Sequence, residues 1–186
     1  MKTVFFDIDT QIDFVYPAGA LYVPGAEEIV PKVAELNRHA SLLISTMDAH
    51  SEDDPEFKMY PHHCVVGTTG QQKPGVTLLE KRAFLPGSAG EQQLILEKRT
   101  FDCFSNPRLA PLLRELSADR YVVYGVVTEI CVRYAAFGLL KTGRRVEIVT
   151  DAVKALDADA AEKMFAEFTG AGGHLTTSAE VLARSD

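Results

Sequence analysis

The stretch from Tyr121 to Val132, which reads YVVYGVVTEICV, constrains the fold more than any other part of the chain. Its first four residues are β-branched or aromatic, which is typical of a buried strand, and Gly125 marks the end of that strand. Thr128 is a residue type that commonly caps a helix N-terminus, so this stretch predicts a strand followed directly by a helix. Strands that alternate with helices in this way build a mostly parallel sheet.

The rest of the chain repeats this alternation. A second signal of a helix start is Asn106 followed by Pro107, which predicts an N-cap and a first helical position. Residues 55–93 show no sustained periodicity and are expected to form a long functional loop or lid. The pattern predicts a single three-layer α/β/α domain over residues 1–186, with a mostly parallel and roughly six-stranded sheet. The predicted strands are 3–8, 41–46, 94–97, 121–124, 145–149 and 174–177, and the predicted helices are 27–39, 107–116, the segment after 128, 158–169 and a last turn after 177.

Composition limits the partners that such a domain can have. The chain has 186 residues, 46% hydrophobic and 24% charged, with a formal net charge of −7. This acidic balance argues against nucleic acid as a partner, and no run approaches the roughly 20 apolar residues of a membrane span. The chain has only three cysteines, an odd number, which does not suit a disulfide framework. Its N-terminus does not resemble a cleavable signal peptide. We therefore expect a cytoplasmic protein.

Reactive side chains follow four of the predicted strands, at Asp9, Asp48 with His50, Lys98 and Cys131. A thiol near the third residue of a helix lies at the positive end of the helix dipole, which favours the thiolate. Asp9 has the chemistry of a base for that thiol and Lys98 that of a cation, as covalent catalysis on an amide requires. The alternatives are that Cys131 only packs in the core, that Asp9 caps a strand and that Lys98 is a solvated charge.

A second cluster has the residue types of a divalent metal site. Asp48 and His50 lie two residues apart after a strand, and His63 follows in the same loop region. One carboxylate and two imidazoles suit zinc, iron or manganese and leave open positions for water or substrate. The alternative is that these histidines merely line a loop.

Six collinear motifs together resemble the isochorismatase-like superfamily of cysteine hydrolases, and its nicotinamidase branch most of all. They are DTQIDF (9–14), PAGALYVPGA (17–26), STMDAH (45–50), HHCVVGT (62–68), EKRTFDCFSNP (97–107) and GVVTEICV (125–132). The resemblance implies a catalytic triad of Asp9, Lys98 and Cys131. It also implies a cis peptide between Val126 and Val127, with the backbone N–H groups of Val127 and Cys131 as the oxyanion hole.

The same resemblance implies a metal ion, zinc by preference and iron or manganese otherwise, held by Asp48, His50 and His63. Glu56 stands where the relatives often have a serine near the metal, so it is a candidate for an additional or water-mediated ligand. Phe14 and Tyr60, together with Val127, are implied as residues that contact the substrate ring. The segment between Lys98 and Asn106 is shorter than in many nicotinamidases, which weakens the substrate assignment but not the triad.

The resemblance implies hydrolysis of a small aromatic carboxamide, with conversion of nicotinamide to nicotinate and ammonia preferred, a reaction of NAD salvage. It also implies a homo-oligomer, either a dimer or a tetramer. One alternative is a relative that acts on a non-aromatic carbamoyl, ureido or maleamate-type amide, and such relatives commonly lack the D-x-H ligands. Vinyl-ether hydrolysis of isochorismate is disfavoured because members with that activity lack the cysteine. Another alternative is a non-catalytic small-molecule binding protein on the same fold.

Overall fold

The computed structural model describes residues 1–86 and 90–184, and one seven-stranded sheet runs through this part of the chain. All the strand pairs are parallel, which confirms the predicted α/β class. The strands are β1 Thr3–Ile8, β2 Leu43–Asp48, β3 Arg82–Phe84, β4 Gln93–Lys98, β5 Arg120–Val126, β6 Arg145–Lys154 and β7 His174–Thr176. The order across the sheet is β3-β4-β2-β1-β5-β6-β7.

Helices flank this sheet in two groups, as the three-layer prediction requires. One group brings the helix Val30–His39 against Ser178–Leu182, and the other brings Arg133–Leu140 against Ala158–Gly170. Within the described ranges, none of the helices combines the length and the apolar character that a bilayer crossing needs. The helices are α1 Ile12–Val15, α2 Val30–His39, α3 Leu109–Leu116, α4 Arg133–Leu140, α5 Ala158–Gly170 and α6 Ser178–Leu182.

The two central strands, β1 and β5, are buried along their whole lengths. Aromatic pairs between them fill the core, as where Phe5 meets Tyr124 and Phe6 meets Tyr121 edge to face. Gly125 has a φ of +118°, and a Cβ there would lie 2.1 Å from the carbonyl oxygen of Ile8. A glycine is therefore required at this point, because β5 passes too close to β1 for any side chain.

The region 55–93 is more ordered than its sequence indicates. It contributes β3 at one edge of the sheet, so the sheet has seven strands rather than about six, and residues 87–89 of this region lie outside the described ranges. β3 was missed because three residues are too short to show a period of two, and its pairing partner β4 is supplied by the tertiary fold.

Two predicted helix starts are wrong. The Asn106 side chain does accept a hydrogen bond from the Arg108 N–H, but α3 begins only at Leu109 and Pro107 precedes it. Thr128 is not an N-cap, because residues Thr128–Val132 form a π-helical turn that begins after Val127 without a side-chain cap. α4 proper begins at Arg133. Turns of this kind are rare and often mark functional sites, and local capping preferences do not predict them.

The sheet topology brings the carboxyl ends of four strands to one place. From β1 the chain moves outward through β2 to one edge, and β5 then returns to the other side of β1, so the direction of winding changes between β1 and β5. Asp48 and Lys98 are directly paired across β2 and β4. In open α/β sheets a crevice forms beyond the carboxyl ends of the strands at such a switch point, and ligands bind there.

Candidate active site

Three side chains from separate strand ends meet at the switch point. Asp9 follows β1, Lys98 ends β4, and Cys131 lies in the turn after β5. The Lys98 Nζ atom is 2.7 Å from Asp9 Oδ2 and 3.7 Å from Cys131 Sγ, and Sγ lies within 4.8 Å of a carboxylate oxygen of Asp9. All three residues are buried. The structure thus brings together the residues that the sequence analysis selected as a triad.

Asp9 is held in one orientation by Thr46. Its φ of +47° lies in the left-handed region that residues other than glycine seldom adopt. The Thr46 hydroxyl donates to Asp9 Oδ1 at 2.6 Å and accepts from the Asp9 N–H at 3.1 Å. Among the described residues no donor meets Oδ2 with hydrogen-bonding geometry, although the Lys98 ammonium lies within ion-pair distance. One oxygen is therefore fixed, and the other is available to accept a proton.

Lys98 lies between two carboxylates, because its ammonium also donates to Asp48 Oδ1 at 2.6 Å. Burial alone would lower the pKa of Lys98, but the carboxylates of Asp48 and Asp9 outweigh burial and raise that pKa well above its ordinary value. Burial raises the pKa of Asp48 to about 6, although Lys98 opposes this shift. Lys98 therefore keeps its positive charge throughout the neutral pH range.

Cys131 is a buried thiol in the π-helical turn, which corrects one expectation from the sequence. Burial raises the pKa of Cys131 well above its ordinary value, and the nearby Lys98 ammonium offsets only part of that rise. From the sequence we expected a helix N-terminus to favour the thiolate, whereas the burial of the sulfur acts in the opposite direction. Burial therefore favours the neutral thiol over the thiolate. The implied cis peptide between Val126 and Val127 is present.

The Asp48, His50 and His63 side chains form a second cluster beside this triad, with one ligand atom from each lying within 4.8 Å of the others. His63 Nδ1 is 2.7 Å from the carbonyl oxygen of Pro61. Since a carbonyl only accepts, Nδ1 carries the proton and Nε2 keeps a free lone pair. Burial lowers the pKa of His63, which keeps the imidazole neutral as a metal ligand must be.

His50 carries the clearest sign that this cluster accommodates a cation. It is fully buried, and its Nδ1 lies 3.1 Å from Asp54 Oδ2. Its Nε2 lies 4.0 Å from Asp48 Oδ1 and has no hydrogen-bond partner in the described ranges. A buried polar atom without a partner is costly unless it meets a ligand. Glu56 Oε1 lies 3.6 Å from His63 Nε2, close enough to add a second carboxylate. This donor set fits a divalent ion.

A small cavity joins the two clusters. Phe14, Tyr60 and Val127, which the resemblance implied as substrate contacts, all line it beside Cys131. The Phe14 ring lies 5.3 Å from the His63 ring, and the Tyr60 ring lies 6.0 Å from that of Phe101. The wall is therefore aromatic next to the reactive sulfur. A larger surface groove of about 720 Å³ beside α3 contains none of these reactive groups.

Sequence reasoning missed several residues of this site. Thr46 orients Asp9, and Asp54 contacts His50; both were visible as polar residues at or just after the second strand. Gln11 is buried and holds the end of β2 through two hydrogen bonds. Its side chain donates to the carbonyl oxygen of Asp48 at 2.9 Å and accepts from the Asp48 N–H at 2.7 Å. No local sequence pattern predicts that four further residues line the cavity. They are Leu21, Phe101, Ile130 and Leu156.

Comparison with known proteins agrees with this architecture. Residues 3–180 match the Isochorismatase domain family. A nicotinamidase from Acinetobacter baylyi is 26% identical over 94% of this chain and 92% of its own length. The pyrazinamidase of Pyrococcus horikoshii in complex with zinc is 30% identical and superposes with a TM-score of 0.84, over 95% of this chain and 99% of its own. PnC1 from L. infantum in complex with nicotinate is 26% identical, with a TM-score of 0.83 over 96% of this chain and 93% of its own. This chain belongs to the isochorismatase domain family.

Proposed function

We propose that this protein is a cysteine amidohydrolase that cleaves a small aromatic carboxamide, nicotinamide by preference, to the acid and ammonia. The observation that carries the proposal is the Lys98 ammonium, 2.7 Å from Asp9 Oδ2 and 3.7 Å from Cys131 Sγ. Cys131 in turn lines a cavity with aromatic side chains. The full-length similarity to a nicotinamidase and to a pyrazinamidase supports the hydrolysis of amides.

The free oxygen of Asp9 is the base in this mechanism. Because burial favours the neutral Cys131 thiol, Asp9 Oδ2 takes its proton as the sulfur attacks the amide carbon. The Lys98 ammonium stabilises the negative charge on the sulfur, and the N–H groups of Val127 and Cys131 donate to the developing oxyanion. Asp9 then passes the proton to the amide nitrogen, which leaves as ammonia while a thioester remains on Cys131.

The second half of the reaction reuses the same groups. Asp9, again a carboxylate, removes a proton from water as the water oxygen attacks the thioester carbon. The carbon–sulfur bond breaks, Cys131 regains a proton through Asp9, and the carboxylic acid is released. Lys98 stays charged in both halves, since its raised pKa keeps the proton on its nitrogen. One residue thus alternates between base and acid, as microscopic reversibility requires.

Asp48, His50 and His63 are the residues that would hold a divalent ion, with Glu56 as an additional ligand. Zinc is our preference among zinc, iron and manganese, since two imidazoles and a carboxylate suit it. When bound, the ion would supply a Lewis-acid position for a ring nitrogen of the substrate. Phe14, Tyr60 and Val127 then hold the ring so that the carboxamide lies over Cys131, and such positioning contributes orders of magnitude to rate.

The cavity lining suits a one-ring amide in its chemistry, because aromatic side chains stand beside Cys131 together with Asp48 and His63. Ammonia release from a panel of amides, measured with and without a chelator, tests the substrate class. We expect nicotinamide to be hydrolysed fastest and chelation to slow it. A panel in which a ring-free ureido or carbamoyl amide is fastest and chelators have no effect would favour the non-aromatic alternative.

Replacing His63 by alanine tests the metal site. We expect His63→Ala to lose most of its bound zinc and to raise the KM for nicotinamide sharply. A ring-free amide should be affected less, because it has no ring nitrogen for the ion. Elemental analysis and the two KM values are the measurements, and His62→Ala is the matched control because the neighbouring His62 is exposed. Freshly purified wild-type protein without stoichiometric metal would contradict the site.

The proposal also includes the cellular compartment and the oligomeric state of the enzyme. All three cysteines are free, which supports a reducing compartment and hence the cytoplasm. A homo-oligomer, either a dimer or a tetramer, stays a prediction from the family resemblance and is checked by light scattering.

A further inference from the structure

Asp13 is a half-buried carboxylate near the cluster of Asp48, His50 and His63, and the mechanism above does not use it. Its Oδ2 accepts a hydrogen bond of 2.7 Å from the N–H of Cys64, and its Oδ1 accepts one of 3.0 Å from the N–H of Ala20. The Cys64 bond joins positions 51 residues apart in the sequence. Asp13 therefore ties the loop after α1 to the segment that carries His63.

The backbone at Cys64 is strained in a way that this bond counteracts. Cys64 has a φ of +47°, in the left-handed region that a residue with a Cβ enters only at a cost. Its carbonyl accepts the N–H of His50 at 3.1 Å, and its own N–H is occupied by Asp13. Both implied imidazole ligands thus depend on Cys64, since His63 precedes it in the chain and His50 is hydrogen-bonded to it.

Two glycines pack closely against Asp13, one against its carboxylate and one against its main chain. A Cβ at Gly70 would come within 2.1 Å of Asp13 Oδ2, and a Cβ at Gly19 would come within 2.3 Å of the Asp13 carbonyl oxygen. The Asp13 N–H also donates to the Gly70 carbonyl at 3.0 Å. The Gly70 backbone lies directly against the carboxylate, and Gly19 lies against the Asp13 main chain. Both contacts favour the one geometry in which the carboxylate oxygens accept from Cys64 and Ala20.

We infer that Asp13 is a positioning residue for the metal centre. Its carboxylate holds Cys64 in the left-handed conformation, and this conformation keeps the imidazoles of His63 and His50 in position as ligands. This inference rests on the proposed metal site and adds a residue that touches neither metal nor substrate. Partners of this kind, one step removed from a ligand, typically contribute about 10- to 100-fold to metal affinity.

Zinc affinity of the purified chain, measured by competition with a chromogenic chelator, is the direct test. We expect Asp13→Ala to weaken Zn²⁺ binding by about 10- to 100-fold, and Asp13→Asn, which keeps one acceptor oxygen, to lie between it and the parent. The absorption spectrum of the cobalt-substituted protein should change as well, because the imidazole geometry is altered. Asp53→Ala removes an exposed carboxylate from the segment that follows His50 and should bind zinc within about twofold of the parent, as surface changes usually do.

A rescue experiment separates positioning from general stability. In the Asp13→Ala background, Cys64→Gly should regain about fivefold or more in zinc affinity, because glycine adopts a positive φ without the penalty that a Cβ brings. Cys64→Ala in the same background removes the same sulfur but keeps the Cβ, and it should not rescue. If thermal unfolding shows that Asp13→Ala does not fold, Cys64→Gly and Cys64→Ala are instead compared in the Asp13→Asn background.

The outcomes separate this inference from the proposed function. Zinc affinity unchanged in Asp13→Ala, or equal rescue by Cys64→Gly and Cys64→Ala, would overturn the positioning role while leaving the proposed enzyme intact. Wild-type protein that binds no zinc would overturn the metal site and the role of Asp13 with it. A loss of affinity with glycine-specific rescue supports the role even if nicotinamide proves not to be the substrate, because metal binding is measured without turnover.

Discussion

Replacing Cys131 by alanine is expected to lower kcat for nicotinamide by at least about 10⁴-fold, because the atom that forms the covalent intermediate is removed. The fold should be unchanged, since alanine removes only the sulfur from a buried position. Ammonia release and thermal unfolding are the two measurements. Turnover within about tenfold of the parent, equivalent to roughly 1.4 kcal/mol of barrier, would contradict the assignment of Cys131 as nucleophile.

Cys103→Ala is the matched control for this substitution. Cys103 is also buried and free, but it lies in a 3₁₀ turn and does not line the cavity. Burial raises the pKa of Cys103, as it does that of Cys131, so neither thiol is activated by ionisation alone. Their difference is position, since only Cys131 has Lys98 at 3.7 Å and the cavity beside it. Alkylation mapped by mass spectrometry should accordingly find Cys131 the most reactive of the three cysteines.

Asp9→Asn and Lys98→Met are each expected to lower kcat/KM by about 10²- to 10⁴-fold, the scale on which an acid–base group contributes. The amide introduced by Asp9→Asn could not take the thiol proton, and the thioether introduced by Lys98→Met would leave no cation beside the sulfur. The double variant should be little worse than the more damaging single variant, because residues that act as a unit fail together. Losses that multiply in the double-mutant cycle would show that Asp9 and Lys98 act independently and that the triad is misassigned.

Lys98→Met is expected to lower the folding stability more than Asp9→Asn does. The Lys98 ammonium lies between the buried carboxylates of Asp9 and Asp48, so its removal leaves two unpaired acids together. Breaking a buried charge pair in this way costs about 3–5 kcal/mol of folding free energy. Thermal unfolding of each variant therefore accompanies the kinetics, and only activity per folded molecule enters the cycle.

The sequence by itself determined the class of the fold and the residues that meet in the site. Periods of two and 3.6 residues are local properties, so alternating strands and helices were readable without the structure. Polar residues that end buried strands, such as Asp9 and Lys98, were readable for the same reason. Parallel strands then place those ends at one edge of the sheet, which is why residues far apart in the chain could be predicted to converge.

The tertiary structure alone decided the state and orientation of these groups. Burial raises the pKa of the Cys131 thiol, and desolvation depends on everything packed around the sulfur rather than on its place in a helix. The π-helical turn at Thr128–Val132 and the edge strand Arg82–Phe84 depend on non-local contacts that short segments do not encode. The bond from Cys64 to Asp13 spans 51 residues, so no local pattern reveals that this carboxylate supports the segment carrying His63.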